Sequence, residues 1–560
     1  AAREYVAQTT LFTTHTPVPA GHDRFGEDLV RRYFGDAEEW VGLPWQRFLA
    51  LGQSAVDAGG GGGGEFNMTY LAMHFAGFVN GVSKLHGAAS RRLLHPFWPG
   101  LLADELPIAS VTNGVHLATW TEPELAAELS DHSMGLVAPA DFAAAERRLA
   151  PAKLWHVHQE SKRRMLNKIR TVLTHGCQVR GESPAALATM LEGLCEDALY
   201  LGFARRFAPY KRAHLLFFDP ERLRRILDHA DRPVRIVVSG KAHPKDQRGQ
   251  DIMKSIVQLA RSPEFVGRVF FVEDYDMAVA RALVQGVDVW VNTPTRMEEA
   301  SGTSGMKAAA NGVLNLSIAD GWWPEAYDGR NGWQIGGERI YGDQDLQDQS
   351  DATALYRLLE EELVPLFFTR GGDGETEDAA ESAGRESDVP LGWTQRMAHC
   401  LASVPPQFST DRMVSDYVDK AYRPLASAYF VQQAEQKAPA RERAREFARI
   451  QADFAKVRIV SASTVELANF KVGQHLDVRL DVDLGKLSPE DVVVELVVTH
   501  GDNSISPVVV RLEPLPESRP VAFEGGYLVE RAGCYEHGMR IRVAGDRRHD
   551  AKVRGLVLWA

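Results

Sequence analysis

The stretch Val287–Ile318, VDVWVNTPTRMEEASGTSGMKAAANGVLNLSI, holds in one run the pattern on which the rest of the chain is read. Two short β-branched runs, VDVWVN (287–292) and VLNLSI (313–318), flank a polar, glycine-containing turn and a segment headed by SGMKAAAN. A strand, a turn with a short helix and a second apolar strand predict a βαβ unit with both faces covered. The same alternation extends upstream through ALYLGFA (198–204), VRIVVSG (234–240) and RVFFVED (268–274). Segments led by PYKRAHLLFF, DIMKSIVQLAR and DMAVARALVQG fall between these runs and predict the connecting helices. Residues 198–318 thus predict a Rossmann-like doubly wound sheet.

Such sheets bind ligands beyond the carboxyl ends of their strands. Those ends run here into Arg205, Arg206 and Lys211, then Lys241, then Asp274 and Tyr275, then Glu298 through Lys307, then Asp320. Polar loops alone explain any one of these. They explain less well the cations after the first two strands beside the glycine-rich turn after the fourth.

In SGTSGMK, Gly302 and Gly305 allow backbone N–H groups to approach an anion, although GxxxxGK[ST] is not matched. An ordinary helix start reads similarly. Lys307 suits either of two tasks: a point charge for phosphate, or an amine for a Schiff base if cations and burial lower its pKa. In ARRFAPYKR, Arg206 and Lys211 are either a solvated basic face or an anion grip. His15 in TTHTPVP, Asn113 in VTNGV and Glu299 offer donors and acceptors for sugar hydroxyls, while His15 and Asn113 are equally at home in turns.

Across 560 residues, hydrophobic types make up 44% and charged types 25%, which points to a globular protein of about three to four domains. A formal charge of -12 lacks the footprint of a nucleic-acid binder. No segment is apolar enough to span a membrane, and the opening AAREYVAQTTLF does not read as a basic-then-apolar signal pattern. Cys177, Cys195, Cys400 and Cys534 have no metal-finger spacing, so no metal site is expected and a reducing cytoplasm is.

Three units are expected: a partial N-terminal α/β lobe (1–115), a Rossmann-like cofactor and phosphate domain (116–435), and a β-sandwich (455–560). The last is suggested by the alternation of QHLDVRLDVDL, DVVVELVVTH and SPVVVRLEPL. Gly59 to Gly64 predict a flexible linker and the acidic stretch 371–390 a surface insertion. The absence of an initiator Met leads to the expectation that the chain is part of something longer.

EEASGTSGMKAAANG resembles the pyridoxal-phosphate motif of the alpha-glucan phosphorylases, whose pattern runs EASGTxxMK. TTHTPVPAGHD, VTNGV, ARRFAPYKR, VSGKAHP and VEDYD follow in that family's order, and the resemblance covers roughly residues 8–425. The tail and the stretch around DGWWPEAYDGRNGW resemble the shorter bacterial branch. This implies a two-lobed glycosyltransferase fold, here with an incomplete N-terminal lobe and an added C-terminal β-domain. The implied activity is phosphorolysis of alpha-1,4-glucan or maltodextrin by inorganic phosphate to α-D-glucose 1-phosphate, with retention, in a cytoplasmic enzyme that forms a homo-oligomer.

The resemblance implies that Lys307 carries pyridoxal 5'-phosphate, that Thr303, Ser304 and Lys211 hold the cofactor phosphate, and that Tyr275 lies beside its ring. It further implies that Arg206 binds substrate phosphate, that Glu299, Ser301 and Gly302 meet the 2- and 3-hydroxyls, and that His15 and Asn113 meet the glucosyl unit around its 6-hydroxyl. His15, Arg206 and Lys211 are the implied catalytic set. Arg205 departs from the Lys of many members, and Asp276 from the basic residue of the animal enzymes. The family's early glycine-rich loop is not found. Rival readings are a nucleotide-sugar glucosyltransferase of glycogen-synthase type and an inactive glucan-binding fragment.

Overall fold

A computed structural model describes residues 1–53, 65–130, 137–337, 339–370, 388–463, 471–501, 505–515, 520–544 and 556–560. The glycine run at 59–64 and positions 371–387 of the acidic stretch lie outside them.

The N-terminal part opens with helix α1 (Ala2–Thr9) and builds a three-stranded parallel sheet from β1 (Leu11–Thr13), β2 (Phe78–Gly81) and β3 (Ile108–Ser110), with β2 in the middle. The stretch MTYLAMHFAGFVNGVSKLHGAASRRLL, whose composition reads as helix, is broken in two. Gly77 comes so close to α1 that a Cβ would lie 2.2 Å from the Ala7 carbonyl oxygen, β2 follows it, and α2 (Lys84–Leu93) starts afresh under a Ser83 cap. The short helix α3 (Leu117–Trp120) and the 30-residue α4 (Pro151–Arg180) lead into the large sheet.

That sheet comprises β4 (Leu199–Ala204), β5 (Val234–Ser239), β6 (Val269–Val272), β7 (Val289–Asn292), β8 (Leu314–Ile318) and β9 (Gly332–Ile335). All its pairings are parallel, in the spatial order β9-β8-β7-β4-β5-β6. Counted from β4, this is the doubly wound order 3-2-1-4-5-6, with its reversal between β4 and β7. Almost every residue of these strands is buried, which accounts for their unbroken apolar runs. The connecting helices include α5 (Pro220–Leu227), α6 (Gln247–Ala260), α7 (Met277–Gly286) and α8 (Thr303–Ala309), with α9 (Gln344–Leu358) after β9.

PYKRAHLLFF does not lead a helix. It forms two 3-10 turns, Pro209–Lys211 and Ala213–Phe217, around Arg212 at φ 45°, and the helix waits for the Asp219 cap and Pro220. Arg212 explains the arrest. Its buried guanidinium pairs with Asp348 at 2.7 Å and Asp351 at 2.9 Å and donates to the carbonyls of Thr293 and Pro294.

Helices α10 (Thr410–Tyr417), α11 (Arg423–Ala434) and α12 (Ala438–Phe454) return to the N-terminal part, where Gln432 and Gln433 donate to Gln8 and to the Tyr5 hydroxyl of α1. The final strands are β10 (Arg458–Ala462), β11 (His475–Asp483), β12 (Val492–His500), β13 (Val508–Pro514), β14 (Val521–Leu528), β15 (Tyr535–Val543) and β16 (Val557–Trp559). The hydrogen bonds run through these strands in the antiparallel order β10-β11-β14-β13-β12-β15-β16. The join is β13, which pairs with β12 over Val508–Leu512 and with β14 at Glu513 and Pro514. Alternate residues of β11, β12 and β15 share one apolar core with Ile450 and Phe454 of α12.

This C-terminal sheet is fastened to the N-terminal part. Arg540 of β15, fully buried, donates to Glu495 and Glu105, and Trp559 donates through Nε1 to the Gly100 carbonyl at 3.1 Å. Val557 packs against the apolar core of the N-terminal sheet. Among the described residues, no helix is long and apolar enough to cross a membrane.

Candidate active site

The reversal of strand order leaves a crevice between the carboxyl ends of β4 and β7, where Arg205, Lys211 and Glu299 meet. Arg205, the first residue after β4, donates through Nη2 to Glu299 Oε2 at 2.9 Å. Lys211 makes a short ion pair with the same oxygen. All three side chains are nearly buried, and Oε1 of Glu299 accepts no hydrogen bond among the described residues. Burial pushes the Glu299 carboxyl up, but Arg205 and Lys211 outweigh it and hold its pKa below the ordinary value. Burial and the neighbouring Arg205 bring Lys211 down to about 8 in spite of Glu299.

The loop that presents Glu299 is bent at both ends by left-handed backbone, Met297 at φ 71° and Gly302 at φ 81°. Asp320, just past β8, accepts the Glu299 N–H at 2.8 Å, and Trp322 N donates to the Ser301 carbonyl at 3.0 Å. Burial pushes the Asp320 carboxyl up to about 7.

Gly302 is the N-cap of α8. Gly305 has a different task from the anion approach expected of it. A Cβ there would lie 2.4 Å from Asn315 Oδ1 and 2.9 Å from the Trp322 ring, so its missing side chain lets α8 sit close on the sheet. Ser304 Oγ accepts from Trp290 Nε1 at 3.1 Å. Lys307, half-buried, has its ammonium 4.0 Å from the centroid of the Trp120 ring, and burial lowers its pKa.

Two observations bear on what the site can hold. Nε and Nη1 of Arg205 are buried with no hydrogen-bond partner, and so is the Ser301 hydroxyl. Native proteins leave few buried donors unmatched. An anionic ligand group would satisfy the guanidinium, and an amine with a depressed pKa is the chemistry that a carbonyl-bearing cofactor requires. Arg205 and Lys307 are thus suited, each at its own position, to a phosphate and to an aldehyde.

The other expected residues are placed less centrally. Arg206 is exposed and makes no ion pair among the described residues. Tyr275 is half-buried against the core of the large sheet, and burial raises its hydroxyl pKa. Asp276 caps α7 by accepting the Val279 N–H at 2.7 Å. His15 is exposed, and Asn113 lies in the loop after β3, where its carbonyl accepts from Arg412 at 3.2 Å. No contact joins His15 or Asn113 to the Glu299 cluster among the described residues. Trp120 was not foreseen as a neighbour of Lys307, and nothing local to either residue signals the pairing. Arg205 and Asp320 stand at strand ends already read as polar, yet only strand order shows that they flank Glu299.

The family model for carbohydrate phosphorylases matches residues 56–328, and the model for the glycogen phosphorylase C-terminal domain matches residues 455–560. Maltodextrin phosphorylase of Thermococcus litoralis is 38% identical, over 99% of this chain and 63% of its own length. Glycogen phosphorylase of Mycobacterium tuberculosis is 37% identical over 90% of this chain and 58% of its own, and that of Aquifex aeolicus 38% identical over 75% and 58%. The chain thus spans about six tenths of the length of these relatives. Two family models match in succession along one polypeptide and a relative aligns with nearly all of it, so the chain is similar to the carbohydrate phosphorylases over most of its length.

Proposed function

We propose that the chain acts as an alpha-glucan phosphorylase, releasing α-D-glucose 1-phosphate from alpha-1,4-glucan or maltodextrin with inorganic phosphate and retention of configuration. The observation that carries this reading is the pair of unmatched, buried guanidinium nitrogens of Arg205 beside Lys211 at the strand-order reversal. On this reading the fold is two-lobed, with residues 1–115, 116–435 and 455–560 as its units, in a cytoplasmic homo-oligomer.

Lys307 would hold pyridoxal 5'-phosphate through its amine. Arg205, Lys211 and the backbone N–H groups of Thr303 and Ser304 would hold its phosphate, with Tyr275 beside the ring. When bound, the cofactor supplies a phosphate group able to exchange a proton with substrate phosphate. Arg206, which is exposed, would take the incoming phosphate. The unengaged Oε1 of Glu299, with Ser301 and Gly302, would receive the 2- and 3-hydroxyls, and His15 and Asn113 would close on the sugar from the N-terminal side. Arg205 and Lys211 fix Glu299 before any sugar arrives, so little reorganisation remains at the reacting centre.

The test is to reconstitute the chain with pyridoxal phosphate, reduce it with borohydride and map the peptides, and in parallel to assay phosphate-dependent release of glucose 1-phosphate. An adduct on Lys307 together with release is the expected result. An unmodified Lys307 peptide with transfer from a nucleotide sugar would replace this reading with the glucosyltransferase one.

A further inference from the structure

We infer that Glu325 is a positioning residue: its carboxylate ties the loop bearing Asn113 to the same rigid turn that holds Glu299, and so sets the two halves of the site in register. The inference rests on the reading of Asn113 as a glucosyl contact.

The turn is the segment DGWWPE, Asp320 to Glu325, between β8 and β9. Its upstream end grips the Glu299 loop through Asp320 and Trp322, as described above. Gly321, at φ 59°, is packed so tightly on that loop that a Cβ would lie 2.4 Å from the Ser301 carbonyl oxygen. Trp322 and Trp323 are both buried and meet edge to face at 5.3 Å, which leaves the turn little freedom.

The downstream end reaches the N-terminal part of the molecule. Glu325 Oε2 accepts the Thr112 hydroxyl at 2.8 Å, and Oε1 accepts the backbone N–H of Lys84, the first residue of α2, at 2.8 Å. Thr112 immediately precedes Asn113. The Lys84 ammonium also lies 4.0 Å from the carboxylate, but it is 78% exposed and contributes little, so the two hydrogen bonds are what hold. Behind the loop, Arg412 of α10 donates to the carbonyls of Thr112 and Asn113, and a Cβ on Gly114 would lie 2.1 Å from the Ser409 carbonyl oxygen. The loop is therefore backed by α10 on one side and fixed to the large sheet's turn by Glu325 on the other.

The test uses the full chain and two readouts. In hydrogen–deuterium exchange, Glu325→Ala is expected to speed exchange about tenfold in peptides covering 82–86 and 110–116, on the order of one lost charge-assisted bond, with 299–309 unchanged. Glu325→Gln keeps an acceptor oxygen and is expected to restore most of the protection. Thr112→Val, which removes only the hydroxyl, is expected to loosen 110–116 and leave 82–86 alone, and it serves if Glu325→Ala does not fold. Unchanged exchange at 110–116 in these variants overturns the inference. In kinetics, Glu325→Ala is expected to raise KM for glucose 1-phosphate about tenfold with a smaller change in kcat, and to add nothing in an Asn113→Ala background. Fully additive losses overturn the inference. A wild-type chain without phosphate-dependent activity would overturn the phosphorylase reading, and the exchange result would then decide the inference by itself.

Discussion

Arg205 and Glu299, 94 residues apart in sequence, meet through one 2.9 Å bond that engages a single nitrogen of the guanidinium. Its other two nitrogens are buried and unmatched, an arrangement that favours whichever anion can reach them. Arg205→Met is accordingly expected to lower the affinity for pyridoxal phosphate about 30-fold, the effect of roughly 2 kcal/mol in charge-assisted hydrogen bonding. Arg205→Lys, with its charge kept and the fork lost, should fall between. Absorbance titration of the three proteins checks the order.

Lys307 is held below the ordinary lysine pKa by burial alone. More of it is neutral, and therefore nucleophilic, at any given pH. The rate at which the unloaded chain takes up pyridoxal phosphate should rise with pH to a midpoint lower than that of a free lysine side chain, and Lys307→Arg should leave no borohydride-trapped adduct. A midpoint at or above the free-lysine value would contradict the burial seen here.

Two groups beside the anion pocket titrate near neutrality: Asp320, raised to about 7, and Lys211, lowered to about 8. Asp320 gains a negative charge as pH rises through the first value, and Lys211 loses a positive one through the second. Both changes weaken an anion's hold. Sulfate, whose charge is constant over this range, should bind progressively less well between about pH 6 and 9. Asp320→Asn should remove the lower part of that fall and Lys211→Met the upper, as calorimetric titrations would show.

Arg212 ties the β4 loop to the β7 loop and to α9 through Asp348 and Asp351. Its loss would leave buried carboxylates short of a partner, and Arg212→Ala is expected to cost about 3–5 kcal/mol in urea unfolding. His214 and Arg212 help to hold the Asp348 carboxyl down to about 2, against burial. The stability this contributes is complete above the ordinary aspartate pKa and is lost as pH falls through about 2. Arg212→Ala should show a weaker acid dependence over that window.

The five strands read from hydrophobic runs all exist, because strands buried on both faces carry their signal in composition. The sixth, Gly332–Ile335, reads GWQI after an asparagine, so its glycine and glutamine break the apolar run that marks the others. PYKRAHLLFF has helical composition, but Arg212 is fixed by carboxylates far along the chain, which overrides local preference. At the site, residues within one motif were legible: Glu299, Gly302 and Lys307 stand on a single loop and helix. That Arg205 and Lys211 both close on Glu299, that Asp320 anchors its backbone and that Trp120 covers Lys307 depend on which strands are neighbours, and spacing in sequence does not encode that.

The clasp made by Arg540, Glu105 and Trp559 bears on how the molecule is assembled during synthesis. Every strand of the large parallel sheet has been translated by the time Ile335 is added, so that sheet can form while the chain is still growing. The N-terminal part precedes that sheet in the chain but must wait for α11, α12 and β16 to cover it. Residues 1–115 are thus synthesised before the elements that seal them, and the faces those elements cover stay open until then.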